Sequence, residues 1–312
     1  MQFTESKFVS RRDILALAGV GMIGSGLLAT DPALPQIGIL VSTTYTTGTL
    51  EERLDEVKAH GLACVQVSMG CAGLPEMPDA IPGGLPERFR KETAARGLKI
   101  ASVQGTFNMC HPDADQRRVG LRRLRVLAEA FPQMPIHICT GTRDEKSMWR
   151  KHPENQSAEA WRDMAACIRE AAEIARQTKS VLAFEPEVNN IVDSAQKARQ
   201  IMDEIGSAHL KVTMDPANIF PAGTLPRMKE ILEEAFSLVG RDIVLAHAKD
   251  LDHDGDAGHK AAGEGLMDYE LYLRLLRAHR FNGPLLLHGL SRAQVPGCVA
   301  FLRAKLARVV GV

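Results

Sequence analysis

From Gln36 onward, short apolar runs alternate with longer segments in which apolar residues recur every three or four positions. The short runs are typical of buried strands, and the longer spacing is typical of amphipathic helices, as for Leu50, Leu54 and Val57 on one predicted face. Strict alternation favours a parallel sheet, and eight strand–helix pairs favour a closed (β/α)8 TIM barrel of the α/β class. The predicted strands are residues 36–42, 64–70, 99–106, 135–142, 180–186, 210–216, 243–249 and 283–289, and the predicted helices are about 49–60, 86–97, 114–130, 157–178, 193–206, 225–239, 268–280 and 291–309.

Each of the last four predicted strands ends in a side chain that binds metals well. In chain order these are Glu185, Asp215, His247 and His288. Each alone has an ordinary explanation, such as a helix cap or a buried core histidine. Because the carboxyl ends of barrel strands meet at one face, four in succession favour a shared metal site. Two carboxylates with two imidazoles suit Mn²⁺, Zn²⁺, Fe²⁺ or Co²⁺ better than Mg²⁺ or Ca²⁺.

Catalytic candidates lie beside these ligands. Glu185 or Glu187 is the candidate base, and Lys249 shares a strand face with His247 because it lies two residues further on. Lys249 is a candidate for protonating or stabilising an oxyanion, and the alternative is a salt bridge to Glu187 or Asp215. Three long loops at the same face, residues 70–85, 142–156 and 250–267, are rich in polar residues. Further candidates for substrate contact are Asn108, Arg143, His152, Asn218, His253 and Glu264, with Trp149 as a candidate stacking surface.

Four segments then indicate a family. Phe184–Glu187 (Phe-Glu-Pro-Glu), Met214–Asn218 (Met-Asp-Pro-Ala-Asn), Ala246–Asp250 (Ala-His-Ala-Lys-Asp) and Gly263–Gly265 (Gly-Glu-Gly) resemble the sugar phosphate isomerase/epimerase superfamily. This is the xylose isomerase-like TIM barrel group that includes inosose dehydratase and ketose 3-epimerases, and the resemblance covers residues 36 to about 305. It implies a divalent-metal-dependent isomerase, epimerase or lyase acting on a sugar, keto-sugar or cyclitol. The expected chemistry is proton abstraction next to a carbonyl, with stabilisation of the enediolate.

The fourth metal position departs from the family pattern. The resemblance implies ligands Glu, Asp, His and Glu from strands five to eight, and the first three match Glu185, Asp215 and His247. The fourth is His288. Imidazole is a good metal ligand, but the change removes the second carboxylate that two-base epimerisation uses. One-base isomerisation or β-elimination needs no such group. The alternative is a non-catalytic carbohydrate-binding barrel with a degenerate metal site.

Composition narrows the range of partners. The chain has 38 basic and 38 acidic residues, so it lacks the basic excess of most nucleic-acid-binding domains. An endonuclease IV-like function is disfavoured because extra metal ligands and a basic groove are missing. We therefore expect a small carbohydrate substrate and no nucleic acid, and a homo-oligomer is left open. The six cysteines form no CxxC pair, and a Cys64–Cys71 bridge is left open.

The N-terminal segment is typical of an export signal. Arg11 and Arg12 are adjacent and precede an apolar, Gly-rich run over 14–29 that is too short for a comfortable membrane span. The pair resembles a twin-arginine signal, and an ordinary secretory signal is the alternative. We therefore predict an export signal and linker over residues 1–34, a barrel domain over residues 35–312, a periplasmic or extracytoplasmic location, and no stable membrane span after processing.

Overall fold

Eight parallel strands close into a barrel in the computed structural model, which describes residues 34–311. The first strand pairs with both the second and the last, and the sixth pairs with the seventh, so the ring has no open edge. The predicted (β/α)8 barrel is confirmed. The eight ring strands are β1 Gln36–Leu40, β2 Cys64–Val67, β3 Lys99–Gln104, β4 Pro135–Cys139, β5 Val181–Glu185, β6 Leu210–Met214, β7 Ile243–Asp250 and β9 Pro284–Leu287. A ninth strand, β8 Lys260–Ala261, is not part of the ring.

Helices follow the strands and cover the outside of the barrel. They are α1 Val41–Thr44, α2 Leu50–Ala59, α3 Leu85–Ala95, α4 Ala114–Ala130, α5 Ala158–Thr178, α6 Ala195–Ile205, α7 Met228–Val239, α8 Tyr269–Ala278 and α9 Val295–Val310. The two-residue strand β8 is outside the ring and pairs antiparallel with the end of β7.

Helices α2, α5, α6 and α8 begin at side chains that satisfy free backbone donors. Thr49 and Glu52 form a reciprocal capping box at the start of α2. Ser157 and Ser194 accept hydrogen bonds from the first turns of α5 and α6, and Asp268 does the same for α8. Such caps fix where each helix starts, and so fix the lengths of the loops at the carboxyl ends of the strands.

The long segment after β7 is held down by one buried carboxylate. Asp250 is 1% exposed. Its Oδ1 accepts hydrogen bonds from the backbone of Leu251 and Met267, each at 2.9 Å, and its Oδ2 accepts one from Gly263 at 3.0 Å. Both ends of this loop are therefore tied to the end of β7, and the loop is folded against the barrel mouth.

All six cysteines are free and buried, so the Cys64–Cys71 bridge is not formed. Cys64 begins β2, where its thiol faces the carbonyl of Gln36 at 3.8 Å. Cys71 lies beyond the other end of β2, where its thiol is 4.0 Å from the hydroxyl of Ser68. The intervening strand keeps the two thiols apart because extended chain advances about 3.3 Å per residue.

The predicted export segment, residues 1–34, lies outside the described residues except for Leu34. Its function and the cellular location stay predictions. Among residues 34–311, no helix has the length and apolar character needed to cross a bilayer.

Close packing of α4 against the loop after β3 requires a glycine. A Cβ atom built on Gly120 would overlap the ring of Phe107. Phe107 is 8% exposed and belongs to the continuous apolar core. The absent side chain lets this aromatic ring lie directly on the helix surface.

We expect Gly120→Ala to lower the free energy of unfolding by about 1–3 kcal/mol, because the Phe107 ring must shift out of close packing. Urea unfolding followed by circular dichroism measures the change. Gly297→Ala in α9 is the matched control, because a Cβ atom there meets nothing within 4 Å. The control should gain roughly 0.5–1 kcal/mol from helix propensity. Equal effects of the two substitutions would contradict the packing explanation.

Candidate active site

His247 lies at the centre of the residues that end strands β5, β6, β7 and β9. It is fully buried, and its Nδ1 atom is 3.6 Å from Oδ2 of Asp215 and 3.7 Å from Oε2 of Glu185. Its ring is stacked on that of His288, with centroids 4.8 Å apart and an interplanar angle of 9°. The structure therefore brings Glu185, Asp215, His247 and His288 together at the carboxyl ends of the strands. We call these four residues the strand-end cluster.

The unused polar atoms of this cluster fit a metal ion. Both ring nitrogens of His247 and the Nδ1 atom of His288 are buried without a hydrogen-bond partner among the described residues. Leaving one such group unpaired costs about 1–3 kcal/mol, so several together call for a ligand. One donor atom from each of Asp215, His247 and His288 lies within 4.8 Å of the others. Glu185, the fourth predicted ligand, is not in this group of three and adjoins it through His247 at 3.7 Å. Carboxylate and imidazole donors at this spacing suit a divalent cation.

The two carboxylates of the cluster are oriented by the protein itself. Asn218 donates its side-chain amide to Oε1 of Glu185 and accepts from the backbone of Gly258 at 2.8 Å. Oδ1 of Asp215 accepts from the backbone of Ala217 at 3.0 Å. In each carboxylate one oxygen is held by a neutral donor while the other faces His247. Partners of this kind fix ligand geometry before any ion binds.

Electrostatics make the centre of the cluster attractive to positive charge. Burial lowers the pKa of His247, but Glu185 and Asp215 outweigh it and raise that pKa to about 9. Burial also opposes the charge on Lys249, and Asp215, Glu185 and Glu187 outweigh it, so the pKa of Lys249 is raised. The Nζ atom of Lys249 lies 3.1 Å from Oδ2 of Asp215, which is one of the two salt bridges considered as alternatives.

Glu187 lies in a different environment from Glu185 although only one residue separates them. It is 5% exposed, and burial, followed by the nearby charge of Glu185, raises its pKa to about 8. Its backbone amide donates to the carbonyl of Val192 at 3.0 Å, and its Oε1 accepts from the Asn190 side chain at 3.5 Å. The turn after β5 thus presents a second carboxylate to the cavity.

His137 of β4 also belongs to the site and was missed from the sequence. Its Nε2 atom is 3.4 Å from Oε2 of Glu185, and its Nδ1 atom is 3.0 Å from the hydroxyl of Thr213. Burial lowers its pKa to about 3 in spite of the Glu185 charge, so the ring is neutral. It occupies the middle of β4, whereas the metal ligands were predicted from polar residues at strand ends. Its signal was a lone polar residue between apolar neighbours.

A cavity of about 580 Å³ opens above the cluster. We call it the first cavity. Its wall includes Glu185, Glu187, Lys249 and His288, and the Trp149 side chain lies at the same wall, 40% exposed. A cavity of this size is in the range that holds a small ligand, roughly 300–1,000 Å³. Polar lining residues that the sequence analysis did not single out are Ser42, Thr43, Glu76, Gln104, Thr106, Asn189 and Asp256.

Of the six predicted substrate contacts, Asn218 lines the first cavity and the other five do not. Arg143 is buried and paired with Asp163 at 2.8 Å. Asn108 accepts hydrogen bonds from the backbone of Thr142 at 3.0 Å and Cys110 at 3.2 Å. Both side chains therefore hold their own loops in shape, and Asn108 also lines a smaller cavity beside the first one.

The remaining three lie further out. His152 accepts from the backbone of Glu154 at 3.3 Å, as the cap of a short turn. His253 contacts Asp252 at 2.7 Å on an exposed loop. Glu264 accepts from the side chain of Gln294 at 2.6 Å. These contacts give each residue a structural partner, and their roles in substrate binding stay predictions.

Comparison with known proteins agrees with this architecture. A family model described as xylose isomerase-like TIM barrel matches residues 54–297. The chain belongs to this family. Among curated protein sequences, none is significantly similar to the chain.

Solved structures of low sequence identity share the fold. The 3-keto-D-glucoside 4-epimerase of E. coli is 16% identical, with a TM-score of 0.64 over 89% of this chain and 100% of that one. A D-tagatose 3-epimerase-like protein is 14% identical, with a TM-score of 0.70 over 88% and 98%. A xylose isomerase-like TIM barrel protein from Mycobacterium smegmatis, solved in complex with magnesium, is 16% identical, with a TM-score of 0.64 over 89% and 98%.

We expect His288→Ala to weaken binding of Mn²⁺ or Zn²⁺ at least roughly tenfold, because it removes a donor from the strand-end cluster. Isothermal titration of the metal-stripped protein measures the affinity. His60→Ala is the control, since His60 caps the far end of α2 and stacks on Tyr45. Unchanged affinity in His288→Ala would show that His288 is not a metal ligand.

Proposed function

We propose that this protein is a divalent-metal-dependent isomerase, epimerase or lyase that removes a proton next to a carbonyl of a sugar, keto-sugar or cyclitol. The observation that carries the proposal is the strand-end cluster. Four metal-competent side chains meet at the base of a cavity of about 580 Å³, beside a buried carboxylate and a buried ammonium group. The similar folds named as sugar epimerases support the choice of substrate class.

The residues that would hold the metal are Glu185, Asp215, His247 and His288. A divalent cation supplies Lewis-acid chemistry at this position, which makes a C–H bond beside a bound carbonyl more acidic. Mn²⁺, Zn²⁺, Co²⁺ and Fe²⁺ are the better candidates, because two of the four donors are imidazoles.

Glu187 is our candidate for the base that takes the proton. It acts in its ionised form, which its raised pKa makes the main form only above a pH of about 8. Its side chain lines the first cavity, and the nearby ammonium of Lys249 is paired with Asp215 at 3.1 Å. Glu185 is the second candidate, but it belongs to the strand-end cluster, where its Oε2 faces His247 at 3.7 Å. A positioned carboxylate of this kind contributes about 100- to 10,000-fold to a proton transfer.

Lys249 is placed to stabilise negative charge on the substrate. It is 5% exposed, lines the first cavity and is kept protonated by the carboxylates around it. A fixed positive charge in a site that excludes water acts strongly on charge that develops during the reaction. Lys249 would therefore orient a substrate oxygen and later donate a proton to it.

The cavity lining favours a neutral substrate. Lys249 is the one Lys or Arg side chain among the described residues that line the first cavity, and it is paired with Asp215. Carboxylates from Glu76, Glu187 and Asp256 face the same space. Because phosphate groups are bound by unpaired cations or helix N-termini, a free sugar fits this lining better than a sugar phosphate.

His288 favours chemistry with one base. Two-base epimerisation needs a carboxylate on each side of the reacting carbon, and the resemblance places the second at the position of His288. Burial and the charge of Lys249 hold the pKa of His288 well below its usual range, so the ring is neutral. Aldose–ketose isomerisation or β-elimination from a keto-sugar therefore fits this chain best.

The test is exchange of substrate protons with solvent deuterium, followed by NMR, over a panel of free and 3-keto sugars with the metal-loaded protein. We expect Glu187→Gln to slow this exchange about 100- to 10,000-fold because the general base is lost, while the metal stays bound. Asp215→Ala should lose both metal and exchange.

Glu129→Gln on the exposed face of α4 is the control for these variants. Exchange that survives Glu187→Gln at the parental rate would exclude Glu187 as the base. A folded protein that binds no divalent metal, or binds it and exchanges no sugar of the panel, would favour the non-catalytic carbohydrate-binding barrel.

A further inference from the structure

A second cavity of about 320 Å³ adjoins the first. It lies between the segment before α3 and the N-terminal half of α4. The two cavities share three lining residues, Glu76, Thr106 and Met148. A ligand long enough to pass these shared residues would reach from above the strand-end cluster into the second cavity.

The wall of the second cavity is amphipathic. Met77, Phe107 and Val119 give it an apolar side, and the close contact between Gly120 and Phe107 holds the aromatic ring in place. Polar groups surround this side. Glu76 bonds to the hydroxyl of Ser68 through Oε1 at 3.0 Å, which leaves Oε2 available to accept. An apolar side with acceptors at its rim suits a group that has C–H faces and hydroxyl edges, as a sugar ring does.

The second cavity offers little to an anionic group. Arg123 is its one Lys or Arg side chain among the described residues, and it makes two hydrogen bonds to Asp79 at 2.9 and 3.0 Å. Both ring nitrogens of His111 are engaged, one with the carbonyl of Glu145 at 3.2 Å and one with the backbone amide of Asp113 at 3.1 Å. A neutral occupant is not repelled by the carboxylate of Glu76, and it needs no unpaired cation in order to bind.

We infer that the substrate is a neutral disaccharide or other glycoside, with the reacting ring in the first cavity and the second sugar in the second cavity. This inference rests on the proposed function and extends it. A monosaccharide held over the strand-end cluster leaves the second cavity empty, whereas a second ring placed there would add binding energy without taking part in the chemistry. Such remote contacts help to fix the reacting ring against the catalytic groups.

The test compares binding of methyl D-glucopyranosides with binding of cellobiose, maltose and trehalose to the metal-loaded protein, by isothermal titration. We expect at least one disaccharide to bind about tenfold more tightly than the methyl glucoside of the same anomeric form, a gain of ~1.4 kcal/mol. Gln116→Trp should abolish that gain, because Gln116 lines the second cavity on an exposed part of α4 and the indole would fill it.

Arg118→Trp is the matched control, since Arg118 is exposed on the same helix and does not line the second cavity. Metal affinity and binding of the methyl glucoside should be unchanged in both variants. The inference is overturned if no disaccharide gains over its methyl glucoside, or if the gain survives Gln116→Trp. Deuterium exchange on the earlier sugar panel separates this inference from the proposed function: exchange without a disaccharide gain rejects the inference alone, and no exchange with metal bound rejects the proposed function.

Discussion

The site depends on how each of two carboxylates divides its two oxygens between a neutral donor and His247. Glu185 and Asp215 each give one oxygen to a neutral donor from the protein and leave the other facing His247. Buried charges are costly unless they are paired. This arrangement therefore works only if positive charge is present between them, as a proton on His247, as the ammonium of Lys249 or as a cation. The barrel makes it possible because strands β5, β6 and β7 deliver these side chains to one point. The polarity of the first cavity, which lies above the cluster, follows from this balance of charge.

The fold was largely predictable because its signals are local and repeated. Each predicted strand and helix is present, with changes of a few residues at the ends. The predicted strand 36–42 ends at Leu40 because the chain turns into the short helix α1, which was not predicted, and neither was the short strand β8. The strand-end cluster was predictable for the same reason. The geometry of a parallel barrel fixes where a residue such as Glu185 or His288 must lie once its strand is known.

The loops were not predictable in this way. Arg143, His152 and Asn108 are polar residues near the site, but each satisfies a donor or acceptor of its own loop. A sequence shows that such residues are polar and near a strand end, and it does not show which partner they choose. His137 was missed for the opposite reason, because a mid-strand histidine is usually a core residue. Only the closed ring shows that it faces Glu185 at 3.4 Å.

The six buried thiols determine how the stability of this fold depends on redox conditions. Because every cysteine is free and none is bridged, the native state has no covalent cross-link that a reducing environment would break. Desolvation also raises the pKa of several of these thiols, including those of Cys64 and Cys110 to about 12, which suppresses the reactive thiolate. Stability then rests on non-covalent contacts alone, and the barrel should tolerate both reducing and oxidising surroundings.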